Sequence, residues 1–284
     1  MRDLPQPTAA LAGLHLPIGL PRVHTAMARS SDGGPISTKP RAATLTARWA
    51  TTSDEISQAQ RLRHQVFVEE MGARLNNIPG TPAGLDRDIF DAHCEHLLVR
   101  DAHQAVIGTY RVMTPTAARR IGGWYSETGF DFTRLRHFSA SMAELGRSCV
   151  HPEHRNGGVI MTLWAALGGF MVRNGLDTMI GCASIGMRDG GHVAASVWRQ
   201  LSQTHLAPIE HRVMPRLALP VDELNGSLEI ETPALIKGYL RCGAKVLGPP
   251  AWDPDFNTAD LLLMLRLRDL PDKYQRHFLR DAVA

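Results

Sequence analysis

Cysteine is scarce in this chain, and the few cysteines lie far apart. Four occur in 284 residues, at positions 94, 149, 182 and 242, and no Cys-x-x-Cys pair is present. This spacing disfavours a zinc ribbon, a redox motif and a disulfide scaffold. We therefore expect free thiols in a reducing cytosol.

Long apolar runs are also missing. A membrane-spanning helix needs about 18–20 consecutive apolar residues. The longest uncharged run, residues 156–172, starts in a loop and contains four glycines, which favours a buried core helix. Residues 9–20 are apolar but interrupted by Pro17, which disfavours a secretory signal peptide.

Patterns typical of a metal site or a serine hydrolase are absent from the sequence. His93 and His96 fall on opposite faces of a predicted strand, and no second cluster of ligand residues accompanies them. No Gly-x-Ser-x-Gly motif is present either. We expect no metal and no permanently bound cofactor.

Charge is unevenly placed. The net charge is +3, but residues 1–48 hold six basic and two acidic residues, so the remaining chain is slightly acidic. A basic leader can contact an acidic membrane surface or nucleic acid, although a solvated tail is the simpler interpretation. We predict a flexible N-terminal extension over residues 1–43, a catalytic domain over residues 44–284, and no nucleic-acid partner.

The periodicity of apolar residues predicts a mixed α/β (α+β) fold. Its central sheet is mixed and mostly antiparallel, and a strand–helix–strand crossover lies in the middle. Helices are predicted at residues 52–72, 114–121, 159–174, 189–203 and 233–241. Strands are predicted at residues 44–50, 94–100, 105–113, 143–150, 178–184, 211–219, 244–247 and 259–268.

Several short motifs follow one another in a defined order. Arg-x-x-Val-Phe, Asp-x-x-Asp, Gly-x-x-Arg and Glu-x-x-Arg occur in residues 62–72, 86–91, 107–111 and 144–147, and two distal segments occupy residues 236–244 and 252–260. In this order the chain resembles the GNAT-type N-acyltransferases over about residues 44–268. More narrowly, it resembles the bacterial L-ornithine Nα-acyltransferases, which are related to acyl-homoserine-lactone synthases and long-chain N-acyl amino acid synthases. The resemblance implies a GNAT-like fold.

The loop before the central helix departs from the pattern of acetyl-CoA enzymes with this fold, which carry Arg/Gln-x-x-Gly-x-Gly/Ala. Here the run is Arg155-Asn156-Gly157-Gly158. The glycines still let backbone N–H groups approach a phosphate at a helix N-terminus. The altered spacing favours a donor with a single phosphate, the phosphopantetheine arm of acyl carrier protein. The resemblance implies the same donor, usually with a 3-hydroxy fatty acyl chain.

Glu144 is the predicted catalytic base, acting directly or through a water, because an amine attacks a thioester only in its neutral form. A purely structural ion pair of Glu144 with Arg147 or Arg111 is the alternative. Residues 144 and 147 of a regular strand face opposite sides, so a shared site requires a β-bulge near Gly146.

Other residues are assigned to the thioester. The backbone N–H groups of Cys149 and Val150, freed beside the bulge, are predicted to stabilise the oxyanion. The resemblance assigns Tyr239 to protonation of the leaving thiolate, and a plain helix residue is the alternative. Arg155, Gly157 and Gly158 are predicted to bind the acyl donor.

The acceptor residues are predicted from charge. Ornithine carries a carboxylate, which suits the arginine fork, and a distal ammonium, which suits a carboxylate. A structural ion pair is the alternative for each of these charged residues. Phe67, Trp164 and Phe170 are possible walls of an acyl tunnel, or ordinary core. The predicted substrate-binding residues are Arg63, Phe67, Asp88, Asp91, Arg111, Arg147, Asp253 and Asp260.

We therefore predict an N-acyltransferase that moves a (3-hydroxy) fatty acyl group from acyl carrier protein to the α-amine of L-ornithine. It is expected in the cytoplasm, peripheral to the inner membrane surface, with docking charges at Arg134, Arg136, Arg155 and Arg173. One alternative is an acyl-homoserine-lactone or other long-chain N-acyl amino acid synthase. Another is a non-catalytic lipid- or carrier-binding module.

Overall fold

One mixed sheet runs through the part of the chain that the computed structural model describes, residues 45–278. Its strands are β1 (Thr46–Trp49), β2 (Glu95–Arg100), β3 (Val106–Met113), β4 (Met142–Val150), β5 (Thr178–Gly186), β6 (Lys245–Val246), β7 (Ala251–Asp253) and β8 (Thr258–Arg266). The order across the sheet is β1-β2-β3-β4-β5-β8-β6, and β7 also pairs with β8. Among the strands between residues 45 and 278, only β4 and β5 pair in parallel, so the predicted fold class is confirmed.

Helices cover both faces of this sheet. They are α1 (Ser53–His64), α2 (Pro115–Ile121), α3 (Gly158–Arg173), α4 (His192–Thr204), α5 (Ala234–Arg241) and α6 (Asp272–Phe278). None of the helices between residues 45 and 278 has the length and apolar character needed to cross a bilayer. Crossover α3 connects β4 to β5, as predicted.

The two faces of the sheet have separate cores. On one face, α3 packs its Ile160 and Leu163 against Leu97 and Val112, and α4 and α5 extend this layer over β5 and β8. On the other face, α1 and the irregular segment 124–138 cover the sheet. We call the first the apolar face and the second the polar face, because the charged site residues project from the second.

Strands β4 and β5 pair over only three residues each. Met142, Ala143 and Glu144 pair with Thr178, Met179 and Ile180, although each strand is nine residues long. Beyond these pairs the strands separate. The separation leaves a gap in the middle of the sheet at the carboxyl ends of β4 and β5.

Two sequence predictions need correction or lie outside the structure, and two elements of the structure were not predicted. The strand predicted at residues 211–219 is wrong, because that segment makes only isolated bridges, Phe130 to Pro215 and Ala218 to Ala251. Strand β7 and helix α6 were not predicted. The proposed extension over residues 1–43 lies outside the described residues, and its boundary stays a prediction.

Candidate active site

A large cavity fills the gap between β4 and β5 and reaches both faces of the sheet. Its empty volume is about 1470 Å³, including open solvent at its mouth. Gly181 shows how closely the strands still approach at the start of the gap, since a Cβ there would lie 2.3 Å from the Leu145 carbonyl oxygen. The cavity therefore joins two chambers across the sheet.

The chamber on the apolar face is bounded by α3, α5, β8 and α6. We call it the apolar arm. Its walls are almost entirely hydrocarbon and aromatic: Trp164, Leu167, Leu235, Tyr239, Leu263, Leu265, Leu267, Leu270 and Phe278. Such a lining suits an acyl chain.

The chamber on the polar face holds three carboxylates and one guanidinium. We call it the charged chamber, and its charged residues are Glu144, Arg147, Asp253 and Asp260. Hydroxyl groups of Ser126, Ser184 and Thr258 also line it. The structure thus brings together four of the predicted site residues from three strands, β4, β7 and β8.

A β-bulge in β4 allows Arg147 to share this chamber with Glu144. Arg111 pairs with Gly146 and Thr109 with Cys149, so residues 147 and 148 together face the single residue Tyr110. Arg147 has φ of +48°, a left-handed conformation that is uncommon outside glycine. The bulge predicted near Gly146 is confirmed.

Glu144 is buried and holds the start of the 3-10 turn Tyr125–Thr128. Its Oε2 accepts from the Tyr125 N–H at 2.7 Å, and its Oε1 accepts from the Ser126 N–H at 2.7 Å and from Ser126 Oγ. Burial raises the pKa of Glu144 above its ordinary value, although the bonds from Ser126 and Tyr125 oppose that shift. No ion pair joins Glu144 to Arg111 or Arg147 within residues 45–278.

Asp260 carries the most informative pKa of the charged chamber. Burial, followed by the nearby charge of Asp253, raises the pKa of Asp260 to about 6. Thr258 Oγ1 donates to Asp260 Oδ1 at 2.9 Å. Asp253 lies beside it because β7 pairs Asp253 with Thr258 and Ala251 with Asp260. Two neighbouring carboxylates favour a cation between them.

Arg147 lies between the rings of Tyr125 and Phe256, with its Cζ 5.2 Å and 4.6 Å from their centroids. Its Nη2 donates to Asp88 at 3.1 Å, while its Nε lies 3.5 Å from Asp86 without a hydrogen bond. Arg147 is the arginine of the three predicted that lines the large cavity.

The other predicted charges form a network beside the cavity. Arg63 is fully buried and donates to the carboxylates of Asp86 and Asp91. Arg111 donates to Asp88 at 2.6 Å and to Asp91 at 3.4 Å. None of these five residues lines the large cavity. Direct contact of Arg63, Arg111, Asp88 or Asp91 with a substrate would require the network to break.

Four polar atoms meet where the apolar arm enters the gap. The Tyr239 hydroxyl hydrogen-bonds the Tyr110 hydroxyl, and the Trp164 ring stacks on Tyr239 with centroids 5.2 Å apart. Ser148 Oγ and Trp164 Nε1 face the Tyr110 hydroxyl. Both atoms are buried, and neither reaches the Tyr110 hydroxyl or any other group of the described chain with full hydrogen-bond geometry. Buried polar atoms are rarely left unpaired in a protein, so both can bind a polar group of a ligand.

The backbone around Cys149 and Val150 lies at the edge of the gap but outside the cavity lining. The His151 N–H donates to the Ile107 carbonyl at 2.8 Å. By this register the Cys149 backbone bonds toward β3, whereas the backbone of Val150 points away from β3. Val150 therefore fits an oxyanion donor better than Cys149.

The predicted donor loop lies at the N-terminus of α3. Gly157 has φ of +88° and occupies the N-cap position, and the Gly158 N–H donates to Asn156 Oδ1 at 3.1 Å. Arg155 forms a bidentate ion pair with Glu70, in which its Nη1 and Nη2 donate to the two carboxylate oxygens at 2.7 Å and 2.6 Å. These residues do not line the cavity, and a donor that engaged Arg155 would compete with Glu70.

The remaining predictions have mixed outcomes. Phe67 and Trp164 line the cavity, whereas Phe170 packs against Trp49 with centroids 4.5 Å apart. The proposed docking residues Arg134, Arg136 and Arg173 are exposed. No group of three or more His, Cys, Asp or Glu side chains between residues 45 and 278 is arranged to hold a metal.

Sequence reasoning missed several residues of the site. Ser126 and Tyr125 hold Glu144 from an irregular segment that has no periodic pattern. Ser148 was hidden because a bulge reverses its expected direction. Tyr110 was hidden by its position within an ordinary apolar strand, and Ser184 had no distinguishing neighbours.

The chain is similar to known acyltransferases. Residues 62–165 match the model of the "Acetyltransferase (GNAT) domain". The L-ornithine N(alpha)-acyltransferase of Brucella abortus (strain 2308) is 33% identical over 261 residues, which cover 85% of this chain and 91% of that protein. The enzyme of the same name from Agrobacterium fabrum (strain C58 / ATCC 33970) is 35% identical over 253 residues, 84% of this chain and 86% of that protein.

The chain belongs to the L-ornithine N(alpha)-acyltransferase family. It is thus an acyltransferase, as predicted. Among solved structures, it is similar in fold to FeeM, an N-acyl amino acid synthase from uncultured soil microbes. That similarity has a TM-score of 0.50 and 10% identity, and it covers 80% of this chain and 93% of FeeM.

Proposed function

We propose that this chain transfers a fatty acyl group from a thioester of acyl carrier protein to the α-amine of L-ornithine, giving lyso-ornithine lipid. The observation that supports this most directly is the single cavity that joins a charged chamber to an apolar arm across the gap in the sheet. The reacting atoms meet in the gap, the amino acid lies on the polar face and the acyl chain lies on the apolar face.

The charged chamber complements ornithine, which carries two ammonium groups and one carboxylate at neutral pH. Arg147 binds the carboxylate, and the Tyr125 and Phe256 rings keep its guanidinium in place. Asp253 and Asp260 bind the distal ammonium. Glu144 faces the α-amine. Arg63, Arg111, Asp88 and Asp91 act indirectly, by fixing Arg147 and the strands that present it.

Glu144 accepts the proton of the α-ammonium, directly or through a water. Its raised pKa makes it a better base than an ordinary exposed carboxylate. It already accepts three hydrogen bonds, which hold it in one orientation without supplying a positive charge. The neutral amine then attacks the thioester carbonyl.

The thioester lies between the bulge and Tyr239. The Val150 N–H stabilises the developing oxyanion, with Cys149 as the alternative donor. Burial keeps the pKa of Tyr239 well above its ordinary value, so Tyr239 holds the proton that the leaving thiolate needs. The unpaired Ser148 Oγ and Trp164 Nε1 bind a further polar group of the donor, for which a 3-hydroxyl on the acyl chain is suited because it both donates and accepts.

Acyl carrier protein delivers the donor on its phosphopantetheine arm. The phosphate is proposed to bind at Gly157 and Gly158 in the first turn of α3, where it would replace Asn156 Oδ1 as the acceptor of the Gly158 N–H. Arg134, Arg136, Arg155 and Arg173 are proposed docking charges for this acidic partner. The reaction needs no permanent cofactor, and a cytoplasmic enzyme that contacts the inner membrane surface peripherally suits a lyso-lipid product.

The function is tested with the purified full chain and defined donors. Acyl-carrier-protein thioesters and the matching CoA thioesters are offered with L-ornithine, 1,4-diaminobutane, which lacks the carboxylate, or norvaline, which lacks the distal ammonium. We expect transfer from the carrier protein to ornithine and at least tenfold lower kcat/KM for both analogues. Preferred use of S-adenosylmethionine would indicate a lactone synthase, and binding without transfer would indicate a carrier-binding module.

The role of Glu144 is tested separately. Glu144→Gln should slow transfer by about 10²–10⁴-fold, and the rate should recover as rising pH supplies neutral amine. Ser126→Ala is the matched control, because it removes one bond to Glu144 and keeps the carboxylate. Equal pH dependence of Glu144→Gln and the parent enzyme contradicts the base assignment.

A further inference from the structure

Helix α6 forms part of the wall of the apolar arm. Leu270, two residues before this helix, and Phe278, the last residue of the helix that the structure describes, both line the cavity and are buried. The Phe278 ring lies edge-on to Trp164, with centroids 6.1 Å apart. On its other side it is parallel to Tyr274 at 5.8 Å. An aromatic side chain held on two sides makes a firm wall.

The position of this wall is fixed along α3. Trp164 lies at the reacting end of the arm, beside Tyr239. Leu167 and Gly168 line the next turn, about 6 Å farther along the helix at 1.5 Å per residue. Phe278 contacts that turn. An acyl chain that enters past Trp164 therefore runs toward Phe278.

Helix α6 packs directly against Gly168 of α3. A Cβ at Gly168 would lie 2.6 Å from the Phe278 carbonyl oxygen and 3.1 Å from the Phe278 Cβ. Only a residue without a side chain permits this approach. Glycine in the interior of a helix is destabilising relative to alanine, so the close approach of α6 explains why position 168 is a glycine.

The neighbouring Gly169 has no such close contact with the backbone of another helix. A Cβ there would meet only the guanidinium of Arg173, with its Nη1 at 2.9 Å. That contact is relieved by rotation of a long side chain. Gly169 therefore offers a matched control on the same helix.

We propose that α6 is the end wall of the acyl site and that Phe278 sets the longest acyl chain the enzyme accepts. This inference rests on the proposed acyl transfer. Phe278 contacts Trp164 and the next turn of α3, so it would select donors by length through contact with the acyl chain, without taking part in the chemistry. Gly168 is a positioning residue, since it acts by seating Phe278.

The test compares donors of increasing chain length, all loaded on acyl carrier protein, with ornithine as acceptor. Phe278→Ala should raise the ratio of kcat/KM for the first rejected longer chain over the preferred chain by roughly tenfold or more, since one methylene in an apolar pocket is worth about 10–200-fold. Phe278→Trp should move the preference toward shorter chains. Gly169→Ala should leave transfer of each chain length within about threefold of the parent enzyme.

The two glycine variants provide a second measurement. Gly168→Ala should displace α6, broaden the length profile and speed proteolysis near residue 278, whereas Gly169→Ala should change none of these. An unchanged length profile in Phe278→Ala, Phe278→Trp and Gly168→Ala, with transfer intact, overturns the end wall. A parent enzyme that transfers no acyl chain of any length overturns the proposed function instead.

Discussion

Arg111 and Arg147 hold opposite oxygens of one carboxylate. Arg111 Nη1 donates to Asp88 Oδ1 at 2.6 Å, and Arg147 Nη2 donates to Asp88 Oδ2 at 3.1 Å. The two arginines come from neighbouring strands on either side of the bulge. Asp88, from the long loop between α1 and β2, therefore ties that loop to the strand that presents Arg147 to the cavity.

Neutralising Asp88 should destabilise the protein. Burial alone would raise the pKa of Asp88, but Arg111 and Arg147 outweigh it and hold that pKa below its ordinary value. Asp88→Asn leaves two buried guanidinium groups with less negative charge, and it should lower the free energy of unfolding by about 3–5 kcal/mol. Urea unfolding at pH 7 measures this. Exposed Asp222→Asn is the control and should change stability by less than about 0.5 kcal/mol.

The same variant has a pH signature. Because the folded-state pKa of Asp88 is depressed, its contribution is complete above the ordinary carboxylate pKa and is lost as pH falls through the lower folded value. The difference in the free energy of unfolding between Asp88→Asn and the parent should therefore become smaller as the solution is acidified. If this difference in the free energy of unfolding stays constant down to the pH of acid unfolding, the ion pairs of Asp88 are not its cause.

Arg147→Met should weaken discrimination at the acceptor carboxylate. The unbranched side chain keeps the apolar contact with Phe256 and Tyr125 and removes the guanidinium. We expect the kcat/KM ratio of ornithine to 1,4-diaminobutane to fall by at least tenfold, mainly through KM for ornithine, since a charge-assisted bond is worth about 1.5–3 kcal/mol. A fall in rate that is equal for both amines would show that Arg147 only supports the fold.

Asp260 should give activity an acidic limb near pH 6. Its pKa is raised to about 6, so the carboxylate needed for the distal ammonium becomes protonated as pH falls through that value. The kcat/KM for ornithine should decline there, and Asp260→Asn should show a low, flat profile over the same range. Norvaline, which has no distal ammonium, serves as the control substrate and should lack this limb.

Asp260→Asn should also be more stable than the parent at neutral pH. An acid whose pKa is raised on folding binds its proton more tightly in the folded state. Its ionisation therefore removes stability as pH rises from the ordinary carboxylate value to about 6. The gain at pH 7 should be about 1–3 kcal/mol in urea unfolding and should largely vanish at pH 4. Equal stabilisation of Asp260→Asn at pH 7 and at pH 4 would rule out the raised pKa of Asp260 as the cause.

Trp164→Phe should separate the stacking of the Trp164 ring on Tyr239 from the hydrogen bond that its Nε1–H can donate to a ligand. Phenylalanine keeps an aromatic ring beside Tyr239 and removes the unpaired Nε1–H. We expect kcat/KM to fall by roughly tenfold for a 3-hydroxyacyl donor and to change little for the unsubstituted chain, since a hydrogen bond contributes about 0.5–1.5 kcal/mol. An equal loss with both donors would place the thioester carbonyl at this position. Phe67→Leu, at another cavity wall, is the control.

Much of the fold was predictable because apolar periodicity reports burial. Helix α2 follows from Thr114 at its N-cap and Gly122 in the left-handed region after its end. The predicted strand at residues 211–219 failed because only Val213 and Leu219 of that segment are buried, and the segment has no continuous partner strand. Helix α6 had a usable signal in Leu270, Tyr274 and Phe278, which recur every four residues.

The charged residues show why a site is harder to predict than a fold. Arg63 and Asp253 look alike in sequence terms, each a single charge near apolar neighbours. Arg63 donates hydrogen bonds to two aspartates more than twenty residues away along the chain, whereas Asp253 faces a cavity. Pairing across such distances is a property of the folded chain. The bulge was predictable because Glu144 and Arg147 could not otherwise share a face.

The three residue pairs that join β4 to β5 also form a seam between two halves of the molecule. Glu144 and Arg147 belong to one half, while Asp253, Asp260 and Tyr239 belong to the other. A ligand in either chamber spans the seam and draws the halves together. Donor and acceptor should therefore strengthen each other's binding, and thermodynamic linkage makes that effect reciprocal.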